Sequence, residues 1–251
     1  MNFFAISFKF LSSIGAFATI GVLIAMAFLV LDEKGKLSES GEKLRRYLTL
    51  SASLWAFGAF GHIVFSLAQI LATPLSGALD PIVLRSFITQ ITLGRYLAFQ
   101  ALISLVVLFI SFKASKILTI IFTLLISIAA LVAPVFQSHS TSGGSHTLVI
   151  GSLVIHVVAL SMWVGGVLAI GLLSQTDRAI AVPRFSQLAL WAAIAVVISG
   201  AVNAWARLNF AAAWSSTYAY IVIAKVVATI ALVGLGYLHR KNLEKKAAIN
   251  W

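Results

Sequence analysis

The sequence predicts an all-α integral membrane protein: one bundle of about seven transmembrane helices, N-terminus outside and C-terminus cytoplasmic. Three observations carry that reading. Hydrophobic residues make up 61% of the chain and charged residues 10%, whereas soluble domains run at roughly 45–50% and about 25%. Seven apolar runs each approach the roughly 20 residues that a helix needs to cross a bilayer. Lysine and arginine sit in the loops between those runs, as topology signals do. The 251 residues suffice for a single transmembrane helical domain spanning 1–251 and leave no room for a second, soluble one. The net charge of +11 is spread over short loops, so nucleic acid is not an expected partner. Cysteine is absent, which excludes disulfides and thiolate metal sites.

In chain order the predicted spans are Phe10–Leu31, Tyr47–Ala72, Gly94–Phe112, Ile117–Phe136, Leu148–Leu173, Ser186–Ala206 and Tyr220–Leu238. The first is read as a retained anchor rather than a signal peptide. Its apolar run exceeds a signal core, and the strong basic loop follows it instead of preceding it. Loop 73–93 is the longest connection. Pro74, Asp80 and Pro81 break its pattern, and IVLRSFITQ within it reads as a short helix lying on the membrane surface. Orientation follows from charge. Thirteen lysines and arginines fall in loops 32–46, 113–116 and 174–185 and in the tail, against Lys9, Arg85, Arg95 and Arg207 on the other side. The richer side is cytoplasmic, and an odd number of spans puts the termini on opposite sides.

The segment HSTSGGSHTLVIGSLVIHVVALSMWVGGVLAIG (139–171) is the expected centre of the bundle. His156 lies inside a membrane-length apolar run, where no water satisfies its ring nitrogens, so a partner or a ligand must do so. Trp163 returns seven residues later to nearly the same face, and Gly165 and Gly166 allow a neighbouring backbone close. His62 in the second span lies at a similar depth, on the order of 12–15 Å below the outer surface at 1.5 Å per residue. The two imidazoles would meet if those spans pack together. Gln69, Gln100, Asn203 and Lys225 also fall in the outer half, so a cavity opening outward is expected there.

All seven acidic residues lie in loops or the tail. Without a membrane carboxylate a Ca²⁺ or Mg²⁺ site is disfavoured, and imidazole is left as the strong ligand, which suits copper, zinc, nickel or haem iron. The candidate metal ligands are His156, His62, His139 and His146, supported by Trp163, Met162, Gln69, Gln100 and Asn203. Each has a plainer alternative. His156 can donate to a carbonyl of a neighbouring helix, His62 and Trp163 can simply pack, His139 and His146 can be solvated loop residues, and Lys225 can snorkel outward. The spacing of His139, His146 and His156 matches no standard zinc pattern.

The stretch HTLVIGSLVIHVVALSMWVGGVLAI resembles the signature helix of the copper resistance protein D (CopD) family, in which a histidine precedes W-x-G-G on one helix. RFSQLALWAAIAVVISGAVNAWARL (184–208) and YIVIAKVVATIALVGLGYLHRKNL (220–243) fit the same family, so the likeness is strongest over 139–243. LRSFITQITLGRYLAFQ (84–100) is similar to the N-terminal half of longer members. The resemblance implies a multi-pass protein of the bacterial plasma membrane that handles copper ions, with uptake toward the cytoplasm. It points to His156 and Trp163 as the signature pair and to His139 and His146 as external ligands. A periplasmic copper-binding protein or a cytochrome oxidase assembly domain, fused to some members, is the implied partner. With three methionines and no cysteine, copper here would rest on imidazole, as Cu(II) or in a site with few soft ligands. A transporter rather than an enzyme is expected. Two alternatives stand beside it: a b-type haem protein using His62 and His156, and an accessory factor supplying copper to an oxidase.

Overall fold

The computed structural model describes residues 2–30, 32–137, 146–208 and 211–249. Among the described residues seven helices are long and apolar enough to cross a membrane. In order, the helices are α1 (Asn2–Ile24, continued by a π turn Ala25–Leu29), α2 (Glu39–Ile70), α3 (Leu75–Ala78), α4 (Pro81–Gln90), α5 (Thr92–Ser111), α6 (Ile117–Val132, continued by a 3-10 turn to Gln137), α7 (His146–Leu172), α8 (Gln175–Arg207) and α9 (Thr217–Ile249). All but α3 and α4 are spans. A two-rung hairpin, β1 (Asp32–Glu33) and β2 (Lys36–Leu37), links α1 to α2.

Several helices outrun their apolar cores. The α2 helix begins eight residues before Tyr47, where the Ser38 side chain accepts from the Gly41 N–H and the pairs Lys43–Glu39 and Arg45–Glu42 staple the first turns. The α8 helix begins at Gln175, capped by Ser174 accepting from the Asp177 N–H at 3.2 Å. It runs through Pro183 without ending. Hydropathy marks the membrane crossing, while helix ends are set by capping chemistry. The short helix expected within loop 73–93 forms as α4, with Asp80 accepting from the Ile82 and Val83 N–H groups and Pro81 in the first turn.

The helix at the centre is α1, not α7 as the sequence implied. It packs against α2, α6 and α7, and 61% of its most apolar stretch is buried, against 28% for α7 and 6% for α9. Small residues make this possible. A Cβ on Gly15 would fall 2.4 Å from the Trp55 nitrogen, one on Gly58 2.4 Å from the Ser12 nitrogen, and one on Gly21 1.9 Å from the Gly165 oxygen. Each contact is backbone against backbone, the approach that glycine permits between membrane helices. The Thr19 hydroxyl donates to Ser51 at 3.1 Å deeper in the α1–α2 seam, and Trp55 is completely buried there.

The basic end of the bundle is closed by polar contacts. The Leu37 N–H donates to the Ser115 carbonyl (2.9 Å) and the Ile117 N–H to the Gly35 carbonyl (3.1 Å), which sews the hairpin to the α5–α6 turn. Arg178 donates to the Ile170 and Gly171 carbonyls that end α7, a cation at the negative pole of a helix. Arg184 reaches the Leu29 and Val30 carbonyls at 3.5 Å, beyond the π turn of α1. Ser40 at the start of α2 donates to Asp177 at the start of α8 (2.7 Å).

Candidate functional site

The WVGG motif is explained by where α7 sits. A Cβ on Gly165 would strike the Phe17 carbonyl on α1, and one on Gly166 would strike the Phe185 ring on α8. Adjacent residues project about 100° apart on a helix, so two glycines seat α7 against two different neighbours. Met162 and Trp163 pack, half-buried, against the main core.

Between two and three turns from the glycines, His156 faces α8. Its Nδ1 lies 3.2 Å from the Val196 carbonyl oxygen and 3.1 Å from Ser199 Oγ. Its ring lies over Gly200, where a Cβ would come within 3.3 Å of Cε1. A carbonyl only accepts, so the neutral ring carries its proton on Nδ1 and keeps the lone pair on Nε2. Ser199 donates its own proton to the Ala195 carbonyl, so its oxygen too meets Nδ1 as an acceptor. Among the described residues no hydrogen bond to Nε2 is formed.

One turn along, the same two helices repeat the arrangement. Ser152 Oγ lies 3.0 Å from the Asn203 side-chain oxygen and also 3.0 Å from the Val149 carbonyl. The Asn203 amide nitrogen is buried without a partner. Ser152 and His156 on α7, and Ser199 and Asn203 on α8, are thus two i,i+4 pairs facing one another as successive rungs. Ser152 and Ser199 escape composition-based reading, because single serines are common in apolar helices. Their matched i,i+4 spacing with a histidine and an asparagine was the signal available.

The other candidates lie elsewhere. His62, on α2, sits beside the start of α1, next to Gly61, where a Cβ would meet the Phe8 ring. It forms no hydrogen bond among the described residues. Helix α1 packs against α2 on one side and α7 on the other, so the condition for His62 and His156 to meet is not fulfilled. Gln100 is buried on α5 and donates to the Ala130 carbonyl of α6 at 3.4 Å. Gln69 is exposed at the end of α2. His139 and the side chain of His146 lie outside the described residues. Among the described residues no three His, Cys, Asp or Glu side chains converge on one point. A crevice of about 500 Å³ opens at the basic end, between Lys43, Arg46 and Tyr47 of α2 and Leu173, Ser174 and Asp177, opposite the end where the sequence led us to expect an opening.

Comparison with known families completes the picture. The profile described as "Copper resistance protein D-like, N-terminal domain" matches residues 1–148, and that described as "Copper resistance protein D" matches residues 179–250. The chain belongs to the copper resistance protein D family. Its seven membrane-spanning helices and this membership make it a multi-pass membrane protein of a copper resistance family. Residues 149–178, most of α7 and the start of α8, fall between the two matched stretches and include His156, Met162 and Trp163. Asn203 and Ser199 fall inside the second. No curated protein and no solved structure matches the chain.

Proposed function

We propose that the protein carries copper ions across the bacterial plasma membrane toward the cytoplasm, as a non-enzymatic permease, with His156 as the ligand that holds the ion inside the bundle. The observation that supports this reading most is the hydrogen bonding of the His156 ring. Histidines that bind metals usually donate their second ring N–H to a carbonyl or carboxylate, which fixes the tautomer and turns the other nitrogen to the metal. Val196 supplies that carbonyl here, and Nε2 is left as a lone-pair donor. The rung lies within about three turns of the start of α7. The lysine- and arginine-rich loops at the other end favour placing that start on the periplasmic side. His139 and His146, just before α7, would then gather the ion, and a periplasmic copper-binding protein is the kind of partner that would deliver it.

The test is elemental analysis of purified wild type and His156→Ala after equilibration with copper, joined to copper accumulation in cells expressing each. The proposal expects copper in the wild type, and loss of both bound copper and accumulation in the variant, with the thermal unfolding midpoint nearly unchanged. Equal copper content in the two proteins would remove His156 from the path.

A further inference from the structure

Resting on His156 as the ion's ligand, a second protein ligand follows from counting protons one rung away. Ser152 has one hydroxyl proton, yet it stands 3.0 Å from two atoms drawn as acceptors, the Val149 carbonyl and the Asn203 side-chain oxygen. At the same time the Asn203 amide nitrogen, with two protons to give, is buried and has no partner. One change relieves Ser152 of the double demand and gives the amide nitrogen a partner. Amide oxygen and nitrogen are told apart only by their hydrogen bonds, and turning the Asn203 amide over lets its N–H donate to Ser152 Oγ while Ser152 donates to Val149. The carboxamide oxygen then takes the buried, unpartnered position. An acceptor left unpaired in an apolar interior is destabilising. A cation would satisfy it, as a hydrogen-bond donor would.

The placement fits. Asn203 is four residues from Ser199, and Ser152 is four from His156, so the amide rung lies about 6 Å along the helices from the imidazole rung. An imidazole nitrogen and an amide oxygen make a mixed, neutral donor pair, suited to a borderline divalent ion such as Cu(II). Neutral ligands also bind less tightly than a cluster of anions would, and a site on a transport path must release what it captures.

We propose that the Asn203 side-chain oxygen is the second protein ligand of the ion held by His156, with Ser152 fixing the amide's orientation. The experiment is titration of the full-length purified protein with Cu(II), followed by electron paramagnetic resonance and by thermal unfolding, for wild type, Asn203→Ala, Asn203→Asp and His156→Ala. Asn203→Ala should weaken Cu(II) binding about 10–100-fold and change the copper spectrum, while the metal-free unfolding midpoint holds. Asn203→Asp keeps the oxygen and adds a charge, so it should bind at least as tightly as the wild type. An unchanged affinity and spectrum in Asn203→Ala, with copper lost in His156→Ala, would overturn this inference and leave the role of His156 standing. Weakening by alanine and aspartate alike would also overturn it, as the mark of a packing role. Unchanged binding in His156→Ala would instead bring down the reading on which it rests.

Discussion

The two sides of this bundle are built by different rules. The α1–α2 seam is backbone against backbone, with Gly15 and Gly58 in direct contact with Trp55 and Ser12, and it buries an entire tryptophan. At the far edge, α9 touches little beyond α8 and the turn before it, and glycines 234 and 236 face open space. The α7–α8 interface lies between these extremes. It is there that the polar rungs occur, each holding its groups in one geometry by hydrogen bonds to main chain or serine. Lipid tails are as apolar as leucine, so packing density and hydrogen bonds, rather than hydrophobicity, decide which membrane helices adhere. The tight seam is a scaffold, and the looser interface leaves room for chemistry.

Substitutions should sort accordingly. The largest contrast is expected between Gly21→Leu and Gly234→Leu. At Gly21 a Cβ would lie 1.9 Å from a carbonyl oxygen of α7, a clash no rotamer relieves, so little folded protein should be recovered by size-exclusion chromatography in detergent. Gly234→Leu should elute and unfold as the wild type does. Equal behaviour of the two would erase the distinction between scaffold and edge.

A smaller contrast separates two tryptophans. Trp55 is 0% exposed and Trp191, on α8, is 70% exposed. Trp55→Ala should cost about 3–5 kcal/mol, the usual range for emptying a large buried site. Trp191→Ala should cost no more than about 1 kcal/mol. Reversible unfolding in mixed micelles would measure both, and a large loss at Trp191 would mean that this face is covered by something other than lipid. The smallest effect is expected at Gln100, whose single side-chain bond is long. Gln100→Leu should shift stability by no more than about 1 kcal/mol and leave copper content as it was, since its neighbours belong to the scaffold. A fall in bound copper would move the site toward α5 and α6.

The spans were legible because hydropathy is a local property, and seven apolar runs are visible residue by residue. Their centre was not. The runs that become α1 and α7 look alike in hydropathy, and the difference lies in which glycines meet which backbones, a relation no single segment contains. The site divides in the same way. His156 was conspicuous as an imidazole in an apolar run, and Asn203 as an amide near a helix end. The Val196 carbonyl that fixes the ring carries no residue signature. His62 was paired with His156 on depth alone, but depth does not say which helices are neighbours, and α1 came between them.

The hairpin sewn to the α5–α6 turn has a consequence for the lysines that lie over it. Both stitches join main-chain atoms, Leu37 to Ser115 and Ile117 to Gly35, and they bring Lys36 opposite Lys116 without using either ammonium. Architecture and surface charge are therefore written in separate atoms at this spot. The two lysines can be replaced without untying the knot beneath them, because neither side chain takes part in it.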